Sequence, residues 1–278
     1  DWKTIFQVGN SSMFRTEFFQ PLELGGAGFV SPYFRYYRIP LALWQEGDEI
    51  AKYKYTKVSV GGDIGVGSKY GELRLGPVYN NYDATRTIGS TVLPQSYTYD
   101  YGLRLNLFFD QLDNYFFPTT GEYLDLYAYR SMGGSEEIKD YGLYGFSFRD
   151  AISVGLGVIQ FTVKAQTATN HDRAVADVNW LGGFLNLSSY RYQELLGEQI
   201  GYGSAQYYHR LGPSGTYWGI AAEVGRVFDY FDKTVADRWH YSGTGYLAYD
   251  SALGPMYLAA AYGDNHVWTG YFMLGKQF

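Results

Sequence analysis

The chain has 278 residues, a formal net charge of -6 and no cysteine, with 30 Tyr, 18 Phe, 6 Trp and 35 Gly. Its length admits one large domain or two small ones, and the acidic balance, with no basic stripe carrying interleaved aromatics, argues against a partner bound through nucleic-acid phosphates. No run of about eighteen apolar residues occurs, which excludes transmembrane helices, and a mean hydropathy of -0.26 looks too polar for a membrane protein until half of every strand is wet. Missing thiols fit an oxidising compartment. The start at Asp1-Trp2-Lys3 has neither a basic n-region nor an apolar h-region, so a mature or truncated product is expected.

Period-two alternation recurs from end to end and predicts strands. Clusters of Gly, Asn, Ser, Pro and Asp place them near 2–8, 13–20, 29–38, 52–66, 72–86 and 95–112. Eight more follow near 121–131, 139–150, 153–166, 200–210, 216–229, 238–250, 255–263 and 266–278. In 52–66, Val58, Val60 and Ile64 oppose Lys57, Ser59 and Asp63. Gly61, Gly62, Gly65 and Gly67 lie within this strand with no helix after them, so close packing or a bulge explains them better than phosphate binding. Next, Leu73, Leu75 and Tyr79 oppose Glu72, Arg74 and Asn80. The clearest case is 97–110, where odd positions are Tyr97, Tyr99, Tyr101, Leu103, Leu105, Leu107 and Phe109, against Thr98, Asp100, Arg104 and Asn106. Such length suits a tilted membrane strand, and about fourteen strands, an even number, suit a closed antiparallel barrel whose aromatic residues form interfacial girdles.

One connection breaks the rhythm. Residues 167–199 are too long for a turn and contain Trp180-Leu-Gly-Gly-Phe-Leu-Asn-Leu-Ser-Ser-Tyr190. The apolar Leu181, Phe184, Leu185 and Leu187 suit either burial in a barrel lumen or a loop that packs on itself outside. The last strand carries Trp268, Phe272, Leu274 and Phe278 on one face, Thr269 and Gln277 on the other, and Gly275 where a close backbone approach is expected. An alternating strand ending on an aromatic residue points to an outer-membrane β-barrel, the plainer alternative for that terminus alone being an edge strand that happens to end in phenylalanine.

Catalytic chemistry is not suggested. There is no Gly-x-Ser-x-Gly elbow, since Gly212-Pro-Ser214-Gly215 has the wrong spacing. The four histidines, His171, His209, His240 and His266, are scattered one to a segment, as polar lumen or loop residues would be, and not paired as a metal site or triad requires. No calcium-loop pattern appears, and Glu136-Glu137 and Asp48-Glu49 read as solvated turns. The chain is therefore expected to be non-enzymatic, with no cofactor, no metal and no nucleic-acid partner.

Three separated segments resemble the outer membrane protein 85 superfamily of assembly and secretion barrels. Leu112-Asp-Asn-Tyr-Phe-Phe-Pro-Thr-Thr-Gly121 is similar to that family's strand-turn motif, implying roles for Asp113, Phe117, Pro118 and Gly121 in a tight periplasmic turn. The terminal Leu-Gly-Lys-Gln-Phe resembles its terminal signal strand, here Phe272, Gly275 and Phe278. Leu181-Gly182-Gly183-Phe184 sits where the family has a loop tip bearing an arginine. That arginine ordinarily pairs with a lumen acid; Ala221-Ala-Glu223-Val-Gly225 is similar to the acid's motif, so the resemblance keeps the acid, Glu223, and replaces its partner by Gly182. A buried carboxylate needs compensation, so Glu223 is expected to be hydrated or paired with Arg226 or Arg191. The loop tip most resembles the translocator barrel of patatin-like phospholipases of the type Vd autotransporter class. The family's barrel has sixteen strands against about fourteen counted here, so the resemblance implies that the first two are to be expected upstream of Asp1.

The resemblance implies one domain over 1–278: a bacterial outer-membrane barrel with its long loop in the lumen and a weak seam between first and last strands. It would pass or insert polypeptide, with an amino-terminal patatin-like hydrolase as the expected passenger. Implied partners are outer-membrane lipid, the passenger, and the periplasmic chaperones and barrel assembly machinery that insert such proteins; a homodimer is compatible with this reading. The alternatives are a general assembly factor and a passive porin in which the loop merely narrows a pore.

Overall fold

The computed structural model describes residues 1–9, 11–22, 27–45, 48–89, 96–136, 140–169, 179–228, 238–252 and 254–275. Alternating side chains make strands of most of them: β1 (Trp2–Gln7), β2 (Ser12–Phe18), β3 (Gln20–Pro21), β4 (Gly28–Gln45), β5 (Asp48–Gly67), β6 (Gly71–Gly89), β7 (Ser96–Asp110), β8 (Gly121–Gly134) and β9 (Gly142–Val154). There follow β10 (Gly157–Thr169), β11 (Asn179–Leu181), β12 (Leu195–Gly197), β13 (Gln199–Leu211), β14 (Thr216–Phe228), β15 (His240–Ser251), β16 (Gly254–Gly263) and β17 (Trp268–Leu274). Hydrogen-bonded neighbours follow chain order from β1 through β2 and β4–β10 to β13–β17, with β3 paired beside β4 and β11 paired separately with β12. The fourteen expected strands correspond to the fourteen along this path.

Most boundaries shift by a few residues, and three shifts bear on the site or on a motif. The strand expected over 29–38, β4, runs to Gln45, its pairing with β5 carried past Pro40, opposite Lys54, and across a bulge at Leu43/Trp44. The long connection begins only after Thr169, because β10 keeps alternating, and its described part, 179–198, contains the β11/β12 hairpin. The last strand stops at Leu274, where Gly275 adopts φ +85. Gly275 therefore serves by its left-handed backbone and not by close approach, since a Cβ there would meet nothing within 4 Å. Phe278, His171 and Glu137 lie outside the described residues.

The chain divides into two compact units. The first comprises residues 1–109, 125–145 and 166–178. Its strands are apolar where exposed and polar where enclosed. On β7, Tyr97, Tyr99, Tyr101, Leu103, Leu105 and Leu107 are exposed, while Thr98, Asp100 and Arg104 are buried. The enclosed face is a network. Glu17 accepts from Ser31 Oγ at 2.8 Å and pairs with Arg74 at 2.6 Å and Arg15 at 2.7 Å. Asp63 pairs with Arg104, and Asp100 accepts from Asn80 at 2.9 Å and from Tyr141 at 2.5 Å. The glycines of β5 make room for rings, because a Cβ at Gly61 would strike Tyr33 and one at Gly65 would strike Phe29. Close packing, and not a bulge, is thus what Gly61 and Gly65 provide.

The second unit comprises 110–124, 146–165 and 179–278 and repeats the inversion. Tyr241, Leu247 and Tyr249 of β15 are exposed while His240, Ser242 and Thr244 are buried. Trp268, Phe272 and Leu274 of β17 form the exposed row expected of the terminal strand. A strand that exposes leucine and tyrosine and encloses aspartate and arginine is stable where the exposed face meets hydrocarbon and the enclosed face holds its own polar partners.

Placing a charge on the exposed row tests this directly. Leu105→Arg is expected to lower the free energy of folding into lipid vesicles, followed by urea titration, by about 2–4 kcal/mol, as for a cation set on the lipid face near the midplane. A loss under about 0.5 kcal/mol, the usual result at a soluble surface, would contradict the orientation.

Candidate functional site

The site is built where the long connection meets the enclosed face of β13–β17. Hairpin β11/β12, paired as Asn179↔Gly197, Trp180↔Leu196 and Leu181↔Leu195, holds the tip between its strands. Within the tip, Gly182 N–H donates to Asn186 O at 2.7 Å, Gly183 N–H to Tyr190 O at 2.9 Å and Asn186 N–H to Gly183 O at 3.0 Å. So tight a path needs left-handed backbone at Leu185 (φ 53), Leu187 (φ 71) and Gln193 (φ 61), each costing about 1–2 kcal/mol for a residue with a Cβ. The strain has a use. Left-handed backbone at Leu187 turns two successive N–H groups the same way, forming a small anion-binding nest.

Glu223 fills that nest. Its carboxylate accepts from Leu187 N–H at 3.1 Å and Ser188 N–H at 3.1 Å, from Tyr202 Oη at 2.9 Å and from Thr244 Oγ1 at 3.0 Å. Four donors surround a carboxylate that is only 4% exposed, which is the compensation a buried charge requires. The expected arginine pairing is therefore corrected. Arg226 lies over the rings of Phe228 and Trp239, at 4.5 and 5.9 Å, and Arg191 is exposed, with its backbone N–H on Glu194 Oε2 at 2.6 Å. No arginine is among Glu223's described partners. Nor would one fit at the tip: Gly182 has φ +110, and a Cβ there would run into the Arg191 carbonyl.

Further contacts fasten the same tip. Ser189 N–H and Oγ reach Ser242 Oγ at 3.0 and 2.7 Å, Tyr271 Oη donates to Ser188 O at 2.6 Å, and Thr269 Oγ1 donates to Ser189 O at 3.0 Å. At its far end, Tyr190 Oη lies 2.7 Å from His240 Nδ1 and 3.0 Å from Asp264 Oδ1, while His240 Nδ1 is 3.0 Å from Asp264 Oδ2. Leu181 and Leu187 are fully buried and pack over Gly225, where a Cβ would come within 2.9 Å of both. The hairpin thus pairs with itself, and the tip it carries is buried against the polar face.

The strand-turn motif is drawn to the same unit. Residues 111–120 form a longer connection than the tight turn expected, wound around two side chains. Asp113 accepts from Thr119 N–H at 2.7 Å, Thr119 Oγ1 at 2.5 Å and Thr120 N–H at 3.1 Å; Asn114 accepts from Phe116 and Phe117 N–H at 2.9 and 3.0 Å. Partial burial opposes ionisation of Asp113, but those donors outweigh it and hold its carboxyl below the usual range. Pro118 is buried with its carbonyl on Tyr208 Oη, and Gly121 opens β8 at φ +107. Phe117 stacks on Tyr217 at 4.1 Å and 7°. Phe117 and Phe184 converge on one ring, Tyr257, at 5.9 and 5.0 Å, so two motifs separate in sequence meet in one aromatic cluster. Phe272 takes no part; it lies on the exposed face.

Ser242, Thr244, Tyr202, Tyr257 and Tyr271 carry no sequence signal as partners of the tip beyond their place in alternating strands, which gives a face and no partner.

No protein-family model matches this sequence, and neither does any curated protein. Solved structures do. A crystal structure of BamA from Haemophilus ducreyi lacking POTRA domains 1-3 is similar with TM-score 0.74 and 13% identity over 95% of this chain. CdiB from Acinetobacter baumannii is similar with TM-score 0.63 and 11% identity over 95% of this chain. The fold shared with these structures is that of an antiparallel β-barrel. This barrel chain spans 61% of the BamA chain and 50% of the CdiB chain.

Two outcomes are expected for the docked tip. In Glu223→Gln one acceptor becomes an amide donor facing donors, so hydrogen exchange at the Leu187 and Ser188 amides should accelerate about tenfold or more, about 1.4 kcal/mol of lost local protection. Unchanged exchange would mean that the nest does not hold the tip. Asp264 sets a pH limit. Burial opposes its ionisation, but the Tyr241 amide, His240 and Tyr190 overcome that and lower its pKa from 3.8. A depressed carboxyl stabilises fully above its unfolded pKa and progressively less as pH falls through the folded value. Protease cleavage within 186–192 should therefore stay slow at neutral pH and accelerate only below about pH 4; Asp264→Asn should remove that acid step.

Proposed function

We propose that this chain is the membrane barrel of a bacterial outer-membrane translocator or assembly protein, with the long loop acting as a latched plug. The carrying observation is the Glu223 latch, in which a strained loop tip is held by a wall carboxylate through two backbone N–H groups, the carboxylate itself being steadied by Tyr202 and Thr244 of the wall. A loop that merely narrowed a pore would not need three left-handed non-glycine residues in and beside its tip. The fold likeness to BamA and CdiB supports the class. Bonds to backbone amides can be broken and remade without chemistry, so gating requires no catalytic group in this chain.

Under this reading the exposed rows meet outer-membrane lipid, and polypeptide is the cargo, passed or inserted when the tip leaves Glu223 and strands separate at a sheet edge. The finer reading is secretion of an amino-terminal patatin-like hydrolase. It is supported by the resemblance of Leu181–Ser188 to the type Vd loop tip, and it requires a hydrolase encoded in the same protein. Periplasmic chaperones and the barrel assembly machinery would deliver the chain to the membrane.

Planar-bilayer recording tests the plug. The unaltered protein should give small, flickering conductance, and deletion of residues 180–190 should raise it and make it persistent; Glu223→Ala should lengthen open times with the loop still present. Large, steady conductance that the deletion leaves unchanged would replace this reading by a passive porin.

A further inference from the structure

We propose that the exposed face of β4–β6 in the first unit holds a phosphate-bearing membrane lipid, its headgroup on Arg38, Lys52 and Lys54 and an acyl chain in an apolar groove along the same face.

Register fixes where these cations lie. Glu17 on β2 pairs with Tyr33 on β4, and odd residues of β4 continue along the enclosed face through Tyr33 and Ile39. Arg38 is therefore on the opposite face, beside Ser12 of β2 and Thr56 of β5. On β5 the enclosed row is Ala51, Tyr53, Tyr55, Ser59 and Asp63. Lys52 and Lys54 belong to the other row, opposite Ala42 and Pro40. Read along that row, the strand runs Lys52, Lys54, Thr56, Val58, Val60, Gly62, Ile64, Val66. Val60, Ile64 and Val66 are 50%, 68% and 55% exposed. One exposed row thus changes from cationic to apolar, the profile of a surface that crosses from headgroups into hydrocarbon.

The charges are only partly answered within the protein. Lys52 meets Glu49 at 3.2 Å, and Asp83, diagonal to Lys54, accepts from Thr85 Oγ1 at 2.8 Å. Neither Arg38 nor Lys54 has an ion pair among the described residues.

Further along lies the groove. Pairing of β5 with β6 stops at Gly61↔Val78 and resumes at Ile64↔Leu75, since Pro77 has no N–H to give. Without a side chain at Gly62, an apolar groove of about 390 Å³ opens between Val60, Pro77, Tyr101, Leu103 and Met132. Lys54 and Val60 are separated by about 20 Å along the strand at about 3.3 Å per residue. With a tilt of about 35–45° this is roughly 15 Å of depth, half of a hydrocarbon core of about 30 Å. An acyl chain hung from a phosphate at Arg38, Lys52 and Lys54 would end in this groove.

The inference rests on the exposed face meeting a bilayer, which protease protection in vesicles and heat-modifiable gel migration establish independently of lipid retention. For protein that passes both, native mass spectrometry from micelles doped with phosphatidylglycerol or phosphatidylcholine counts retained lipid. Retention of phosphatidylglycerol is expected, at least tenfold above phosphatidylcholine. It should fall about tenfold in the triple variant Arg38→Gln, Lys52→Gln, Lys54→Gln. It should also fall severalfold in Gly62→Leu, whose Cβ has room, the nearest atom being Pro32 Cα at 3.7 Å, and whose side chain fills the groove with the cations intact. Equal retention of the two lipids, or retention unaffected by the triple variant, would overturn the proposal. So would displacement by millimolar inorganic phosphate together with an inert Gly62→Leu, which would mean an ion site without a lipid.

Discussion

Everything in this protein depends on the sorting of each strand into an apolar face turned out and a polar face turned in. In hydrocarbon no water can satisfy an open N–H or C=O, so backbone must pair strand to strand, and side chains that need partners must find them on the enclosed face. Asp63, Asp100, Glu17 and Glu223 are all enclosed and all partnered. Were the sorting reversed at one residue, a carboxylate would face lipid and a tyrosine would displace a network member. Slipping any strand by one position would do this along its whole length, so register and sorting enforce each other.

The two units solve the enclosed face differently. In the first, acids are answered by arginines, as in Glu17 with Arg74 and Arg15 and Asp63 with Arg104, and rings fill the space over glycine. The pairs of Arg74 with Glu17 and of Arg104 with Asp63 join one strand to another and make a wall. In the second, Glu223 is answered by amides of a loop, supported by Tyr202 and Thr244 of neighbouring strands. A guanidinium in this place would bring its own charge and would need a Cβ where Gly182 has no room for one. Amides bring partial charge only, fixed by backbone geometry, so holding Glu223 demands the left-handed turn at Leu187. The loop's shape and the acid's charge therefore compensate each other: one is strained, the other desolvated, and both costs are offset when they meet.

The aromatic cluster ties this latch to the opposite connection. Phe184 at the tip and Phe117 in the strand-turn segment share Tyr257, and Tyr246 and Tyr271 pack against Phe184 at 6.0 and 5.5 Å. Movement of the tip would uncover Tyr257, a ring that Phe117 also contacts.

By itself the sequence determined the strands, because a period of two needs only local order, and fourteen segments followed it closely enough to be counted. It also determined which face of each strand is apolar, and through the spaced motifs it pointed to Glu223, to Leu181–Phe184 and to Asp113–Gly121. Tertiary structure alone decided the partners. Leu187 and Ser188 are 36 and 35 residues from Glu223, and nothing local could say that backbone N–H groups, which every residue but proline carries, would replace an arginine. Side-chain pairings leave complementary residue types to be read; a backbone nest leaves none beyond a glycine and a strained leucine. The end of β17 shows the same limit, since alternation continues past Gly275 in the sequence while the left-handed φ of that glycine ends the strand.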